Sequence, residues 1–328
     1  MQLPARQESE LLSSPSVLLV EKMRSDGFLD WIVVGALIVV LAIGGLVSPL
    51  FLTIGNVTSI LIACSLLAVI AIGQTFVIIV AGIDLSVGAV AQVSSVMIGI
   101  AVTHKWGVPV GIGMALIASL FFGVVNGLVV SVGKISDFVA TLGTLSILTG
   151  VALVLSDGRP VGVISPLLTE LASGSFARVP NIALLAGTVA IVSHIAMFHT
   201  RFGMRLFATG SNYEGSRNLG LDVGKMKIFA YAICGLSSGI GGIMLTARIG
   251  SAEPAVGSAY LLGSIAASVL GGTSLFGGRG TVIGPVVGAF VLAALHNLMT
   301  LRGIGVFYQP IVTGVVVILF ALVYRLQR

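Results

Sequence analysis

The chain has 328 residues, of which 56% are hydrophobic and only 9% charged, whereas about a quarter of a soluble domain is charged. With a mean hydropathy of +1.12, these proportions exclude a water-soluble globular protein and point to a polytopic membrane protein. The net charge of +5 calls for no nucleic-acid partner, because membrane proteins gather Lys and Arg in their cytoplasmic loops.

Residues 1–30 are polar and of mixed charge and read as a cytoplasmic N-terminal tail. Ten apolar segments follow: Ile32–Val47, Val57–Ile79, Leu85–Val102, Val108–Val130, Phe138–Leu155, Ile182–Phe198, Ile228–Leu245, Ala259–Leu275, Val282–Met299 and Phe307–Tyr324. Each approaches or exceeds the ~17 to ~20 residues that cross a bilayer. No small-residue cleavage pattern follows the first, which reads as a retained anchor and not a signal peptide. The expectation is an all-α transmembrane domain over 31–324 with about ten helices, and a short cytoplasmic C-terminus at 325–328. Glycine reaches 43 residues, about 13% against the usual ~7%, as close helix packing in a membrane requires. Cys64 and Cys234 both fall in apolar runs, where a thiol behaves as a small hydrophobe.

The charge pattern sets the orientation. With the N-terminus inside, the inner segments hold Arg6, Lys22, Arg24, Lys134, Arg201, Arg205, Arg217, Lys225, Lys227, Arg279, Arg325 and Arg328. The outer segments hold Lys105, Arg159, Arg178, Arg248 and Arg302. This bias places both termini in the cytoplasm.

Along the chain, Asp84 lies between the second and third spans, which are joined by almost no loop, and Ser86 stands at the start of the third. A carboxylate at the bilayer centre costs about 2.5–3.5 kcal/mol on the insertion scale, so Asp84 should face protein, water or a helix end. An N-cap on the third helix is one role for it; part of an inner gate is the other. The longest outer segment, Ser156 to Asn181, has room for a short interfacial helix.

The stretch Thr200–Lys227 is the longest interior cytoplasmic loop and the most polar part of the spanning domain. In "GSNYEGSRNLGLD", Ser211 and Glu214 are spaced S-x-x-E, the signature of a capping box, and Gly220 supplies a stop. Two turns are too few for a stable isolated helix, so the segment rests on the membrane face or on another protein; a solvated loop is the plain alternative. Gly235–Gly239 spells G-x-S-x-G, but inside a predicted helix it lacks the strand-to-helix turn of a nucleophile elbow and reads as helix packing.

Gly271, Gly272, Gly277, Gly278 and Arg279 form a glycine-rich inner turn. It lacks the Lys-Ser/Thr ending of a phosphate-binding P-loop, so ATP is not expected to be hydrolysed by this chain. Within the spans, Gln74, Gln92, Asn126 and Asn297 are candidates for the path of a polar solute, because hydroxyls need neutral donors and acceptors. Interhelical hydrogen bonds are their ordinary alternative. Arg159, Arg178, Arg248 and Arg302 are candidates for docking an acidic extracytoplasmic partner or for snorkelling to the interface. No span carries the paired carboxylates of an ion relay, and no Cys/His cluster suggests a metal.

Four segments carry a family resemblance: "AGIDLSVGAV" at 81–90, "FVATLGTLSILTG" at 138–150 followed by "LSDGRPVG", "RFGMRLFATGSNYEGSRNLGLDVGKMK" at 201–227, and "VLGGTSLFGGRGTVIGPVVGA" at 269–289. In this order the sequence resembles the permease subunit of monosaccharide ABC importers, the ribose, arabinose, xylose and galactose branch. The resemblance extends from about Trp31 to Tyr324. It implies a fold like the type II importer permeases in a bacterial inner membrane, and a second permease copy, usually making a homodimer. It further implies a periplasmic sugar-binding protein outside and a cytoplasmic ABC ATPase inside, which uses ATP and Mg.

The same resemblance makes Gly210, Ser211, Asn212, Glu214, Arg217 and Gly220 the coupling helix that meets the ATPase. Gly215-Ser216 replaces the two alanines common there, and Gly215 loosens the helix by up to ~1 kcal/mol relative to alanine. A pentose or related monosaccharide is the implied cargo, which makes Gln74, Gln92, Asn126 and Asn297 candidates for a sugar path. An ion-coupled secondary transporter of a small polar solute is the alternative, since it also uses discontinuous helices around a midplane site. A membrane enzyme lacks its catalytic set.

Overall fold

The structure, a computed structural model, describes residues 28–326. The expected N-terminal tail through residue 27, with Arg6, Lys22 and Arg24, and residues 327–328, with Arg328, lie outside the described residues.

Helices occupy all ten apolar segments: α1 Phe28–Val47, α2 Ile54–Ile79, α3 Val87–Thr103, α4 Val108–Ser131 and α5 Asp137–Leu155, then α7 Asn181–Phe198, α10 Val223–Ile249, α11 Ser258–Leu270, α12 Ile283–Leu301 and α13 Gln309–Leu326. Between α5 and α7 lies the short helix α6, Pro166–Ser173, and between α7 and α10 lie α8, Arg201–Ser211, and α9, Tyr213–Asn218. Among the described residues, α2, α4, α5, α7, α10 and α12 are long and apolar enough to cross a membrane. The other four segments hold shorter apolar helices.

Burial separates the core from the lipid-facing shell. The most apolar windows of α2 and α10 are 89% and 72% buried inside the protein, whereas those of α4, α5 and α7 are 28%, 22% and 22% buried. α2 is apolar on every side, the pattern of a helix enclosed by others. Small residues bring the helices together. A Cβ on Gly73 of α2 would stand 2.6 Å from the Ser237 Cβ of α10, and one on Gly127 of α4 would stand 2.7 Å from the Ile228 Cα. The G-x-S-x-G segment lies inside α10, with Gly235 and Gly239 against Ser119 of α4 and the Ser238 hydroxyl donating to the Cys234 carbonyl at 2.8 Å.

Four two-residue strands tie loops together. β1, Val161–Gly162, pairs antiparallel with β4, Ser251–Ala252, and β2, Ser175–Phe176, pairs with β3, Val179–Pro180. The first pair joins the C-terminal ends of α5 and α10. At that same end Arg302 donates to the Val47 carbonyl at 3.2 Å. The loop 200–227, the glycine-rich turn and the end of α2 meet at the opposite end. The loops are thus grouped as the charge pattern groups them.

Two breaks interrupt the bundle. After α2, residues 80–86 turn back along it, so that the Asp84 backbone pairs with the side chain of Gln74 and α3 starts inside the bundle. From β4 the chain re-enters from the other end, and Gly257, just before α11, lies against the Gly88 carbonyl and the Gln92 side chain of α3. With 13 residues, α11 is about 20 Å long at 1.5 Å per residue, short of the ~30 Å hydrocarbon layer. The expected eighth span to Leu275 therefore stops at Leu270. Gly271, at its C-terminus, lies against the backbone of Gly284 and Pro285, and Gly272 turns the chain at φ +90°.

Candidate functional site

The polar loop is a pair of short helices. Thr200 caps α8, its hydroxyl accepting from Gly203 N–H at 3.4 Å. The helix buries Gly203, Leu206 and Thr209 and exposes Arg201, Met204 and Arg205. The expected capping box between Ser211 and Glu214 does not form. Asn212 N–H still bonds the Ala208 carbonyl at 3.1 Å, which leaves Ser211 as the last residue of α8. Asn212, in extended backbone, is the cap instead: its Oδ1 accepts from Gly215 N–H at 2.8 Å.

Ser216 donates to the Ala208 carbonyl at 2.8 Å and fastens α9 to α8. At its far end Gly220 has φ +81°, Leu221 N–H returns to the Ser216 carbonyl at 3.0 Å and Gly220 N–H to the Arg217 carbonyl at 3.0 Å, a Schellman stop. Asp222 then caps α10 through Lys225 N–H at 3.0 Å and pairs with the Lys225 ammonium at 2.9 Å. These contacts hold the Asp222 carboxyl below its ordinary pKa, the backbone hydrogen bond first. Tyr213, Glu214, Arg217 and Leu219 are exposed on α9 and its stop, and Lys227 stands 5.7 Å from the Tyr213 ring. The surface is largely polar, and the Glu214, Arg217 and Leu219 side chains are exposed on it.

Beneath it, three segments singled out in the sequence converge on one carbonyl. Gly278 N–H donates to Ile79 O at 2.9 Å, and Gly210 presses on the same oxygen so closely that a side chain has no room. A Cβ on Gly278 would lie 2.9 Å from Ser211 Cα, and one on Gly277 would lie 2.9 Å from Ala81 Cβ. Gly277 and Gly278 have φ +84° and +72°, which glycine adopts freely. Ala81 itself sits at φ +57°, a strain of order 1–3 kcal/mol for a residue with a Cβ.

The 80–86 turn leads from this junction to a buried polar network. Gln74 donates to Asp84 O and accepts from Asp84 N–H, both at 3.1 Å, in the amide orientation that satisfies both groups. Asp84 is 1% exposed. Its Oδ1 accepts from the Ser86 N–H at 2.8 Å and from the Ser86 hydroxyl at 2.6 Å. Asp84 is thus an Asx turn two residues before Ser86, the residue in the N-cap position of α3, and is not itself the cap. Asn126 of α4 donates to Ser86 Oγ at 2.8 Å, and Thr144 of α5 donates to Asn126 Oδ1 at 2.6 Å.

Asp137, at the start of α5, accepts from Ile83 N–H at 3.0 Å. Sequence reading passed over this residue. It resembles any acidic group in a first helical turn, and its partner is 54 positions away. The turn therefore bonds to α2, α4 and α5 and touches the polar loop through Ile79.

Gln74 and Asn126 belong to this network, while the other two amides lie elsewhere. Asn297 of α12 exchanges two hydrogen bonds with Asn56 of α2, at 2.9 and 2.8 Å. Gln92 Oε1 is buried beside Gly257 and has no hydrogen-bond partner among the described residues. Arg159, Arg178, Arg248 and Arg302 are all exposed at the end opposite the polar loop. Among the described residues, no cluster of His, Cys, Asp and Glu has a metal-binding arrangement.

Residues 56–322 match the family described as branched-chain amino acid transport system / permease component. The chain is similar to the ribose import permease protein RbsC of Escherichia coli (strain K12), 38% identical over 88% of this chain and 91% of the relative. The RbsC of Bacillus subtilis (strain 168) is 34% identical over 88% and 90%. The autoinducer 2 import system permease protein LsrC of Photorhabdus luminescens is 32% identical over 86% of each. No solved structure gives a significant match.

Proposed function

The chain belongs to the branched-chain amino acid transport system / permease component family, and from that premise we propose that it is the translocation subunit of an ATP-driven monosaccharide importer. A permease of this family is a multi-pass inner-membrane protein. The cargo in this reading is a pentose or a related sugar, passed from a periplasmic binding protein to the cytoplasm. Two copies of the chain form the path. A separate cytoplasmic ABC ATPase, using ATP and Mg, supplies the energy, and the permease itself catalyses no reaction.

The observation that carries this reading is the contact of Gly210 and Gly278 with Ile79 O. The exposed helix α9 is a surface suited to an ATPase groove, with Asn212, Glu214 and Arg217 facing the partner. The Ile79 contact joins this surface to the 80–86 turn, which leads into the Asp84 network. ATP-driven approach of the two ATPase subunits moves α8 and α9. That motion displaces the end of α2 and the 80–86 turn, and with them α4 and α5. The relatives named for ribose import supply the sugar class. Arg159, Arg178, Arg248 and Arg302 steer the acidic lobes of the binding protein.

The test is reconstitution of the chain in proteoliposomes with its ATPase and binding protein. ATP-dependent accumulation of a radiolabelled pentose supports the reading. Accumulation driven by a proton or sodium gradient without the ATPase assigns the broken helices α3 and α11 to an ion-coupled secondary transporter instead.

A further inference from the structure

At the end of the bundle opposite the polar loop, a cleft of about 240 Å³ opens between the C-terminal turns of α3 and α5 and the β1–β4 pair. Its polar lining is Thr103, His104, Ser156 and Asp157, and its floor includes Val96 and Ile100. None of these residues belongs to the Asp84 network or to the polar loop.

Three of the four polar groups of the cleft offer acceptors, and the fourth, the His104 ring, also supplies an N–H donor. The Thr103 hydroxyl donates to the Gly99 carbonyl at 3.0 Å, and that of Ser156 to the Ala152 carbonyl at 2.8 Å. Each proton is thereby used, and the two oxygens present lone pairs. An ionised Asp157 carboxylate accepts only. Asp157 and Gly158 stand at φ +51° and +65°, in a tight turn at the end of α5. Beside the cleft the His104 ring stacks on Trp106, centroids 4.9 Å apart and planes 20° apart.

An acceptor-rich rim over an aliphatic floor repels anions and suits a solute that donates many hydroxyl protons and has one C–H face. The volume lies below the ~300–1,000 Å³ of drug-sized ligand pockets, so the occupant is small. We propose that this cleft is an acceptance site for a neutral monosaccharide, where sugar released by the binding protein is held before translocation. This rests on the importer reading, which places this end outside. The aliphatic floor favours a sugar over a lysine ammonium, the other occupant an acceptor-rich rim could hold.

The experiment uses the full-length chain in nanodiscs, with Trp31→Phe so that Trp106 is its remaining tryptophan. D-Ribose, L-arabinose and D-xylose are titrated while tryptophan fluorescence is followed, beside lysine amide and sodium gluconate. The expected result is a saturable change with at least one pentose and none with gluconate. Asp157→Gly, which suits the positive φ, should weaken it by at least about tenfold, as loss of a charge-assisted hydrogen bond does. Asp157→Asn, keeping one acceptor, should fall between, and both variants should remain monodisperse.

No saturable response to any pentose, or an equal response in Asp157→Gly, overturns the proposal. A response to lysine amide alone assigns the cleft to a basic side chain of a protein partner. Pentose uptake by the reconstituted importer separates the two readings. If ATP drives uptake while the cleft binds no pentose, only the cleft assignment fails. If ATP drives no uptake, the importer reading fails, whatever the cleft binds.

Discussion

Gly278 donates its backbone N–H to the Ile79 carbonyl at 2.9 Å, and so joins the glycine-rich turn before α12 to the last residue of α2. Gly210 closes on the same carbonyl from the polar loop. A single oxygen thus marks where an exposed surface, a turn and the buried C-terminal end of α2 meet.

Gly210→Ala tests whether that meeting point transmits force. The added methyl collides with the Ile79 carbonyl, backbone that cannot swing away, and overpacking of this kind costs about 1–3 kcal/mol. Sugar uptake should fall sharply while the variant still inserts and still binds the ATPase in a detergent pull-down. Gly220→Ala instead meets open space but carries a φ of +81°. It should loosen the stop of α9 and weaken ATPase recovery.

Asn212→Ala and Ser211→Ala separate the observed cap from the expected one. Loss of the Asn212 side chain removes the acceptor for Gly215 N–H and should destabilise α9 by roughly 1 kcal/mol, read as weaker ATPase co-purification. Asn212→Asp should retain it. Ser211→Ala removes no cap bond and should leave binding near wild type. The reverse ranking would restore the capping box.

Asp137 reports on the link between the 80–86 turn and α5. Asp137→Asn keeps an oxygen for Ile83 N–H, and Asp137→Leu does not. The leucine variant should lose about 0.5–2 kcal/mol of coupling. This should appear as fewer sugars moved per ATP hydrolysed, with the asparagine variant close to wild type. An equal ratio in all three would reduce the contact to local packing.

The pH dependence of the loop follows from Asp222. Its folded pKa lies below the ordinary carboxylate value, so the capping stability is fully present above that value and is lost as pH falls through the folded one. Thermal melts of wild type and Asp222→Asn should differ by a constant amount between about pH 5 and 8. The difference should shrink below about pH 4. A difference that grows on acidification would contradict the assignment.

The spans were legible because hydropathy and length report burial in lipid directly, and each of the ten apolar segments is a helix. The two breaks were harder to read. Val269–Leu275 keeps an apolar average across Gly271 and Gly272, so hydropathy alone carries α11 past its real end at Leu270. The choice of cap was ambiguous for a related reason. Ser211 and Asn212 are both good caps, and the choice fell to the Ala208 carbonyl, which prolongs α8 by one residue. The segments around Gly210, Asp84 and Gly278 stood out in the sequence, but the meeting of Gly210 and Gly278 on Ile79 is a tertiary fact. The pairing of Asn297 with Asn56, 241 positions away, is likewise a tertiary fact.

The most direct measurement is uptake of radiolabelled pentose into proteoliposomes holding the chain, its ATPase and its binding protein, with and without ATP, beside the Gly210→Ala permease. The account predicts accumulation that requires ATP and the ATPase and is largely lost in the variant, although the ATPase still binds. Uptake that follows an ion gradient without the ATPase, or that is unchanged by Gly210→Ala, would contradict it.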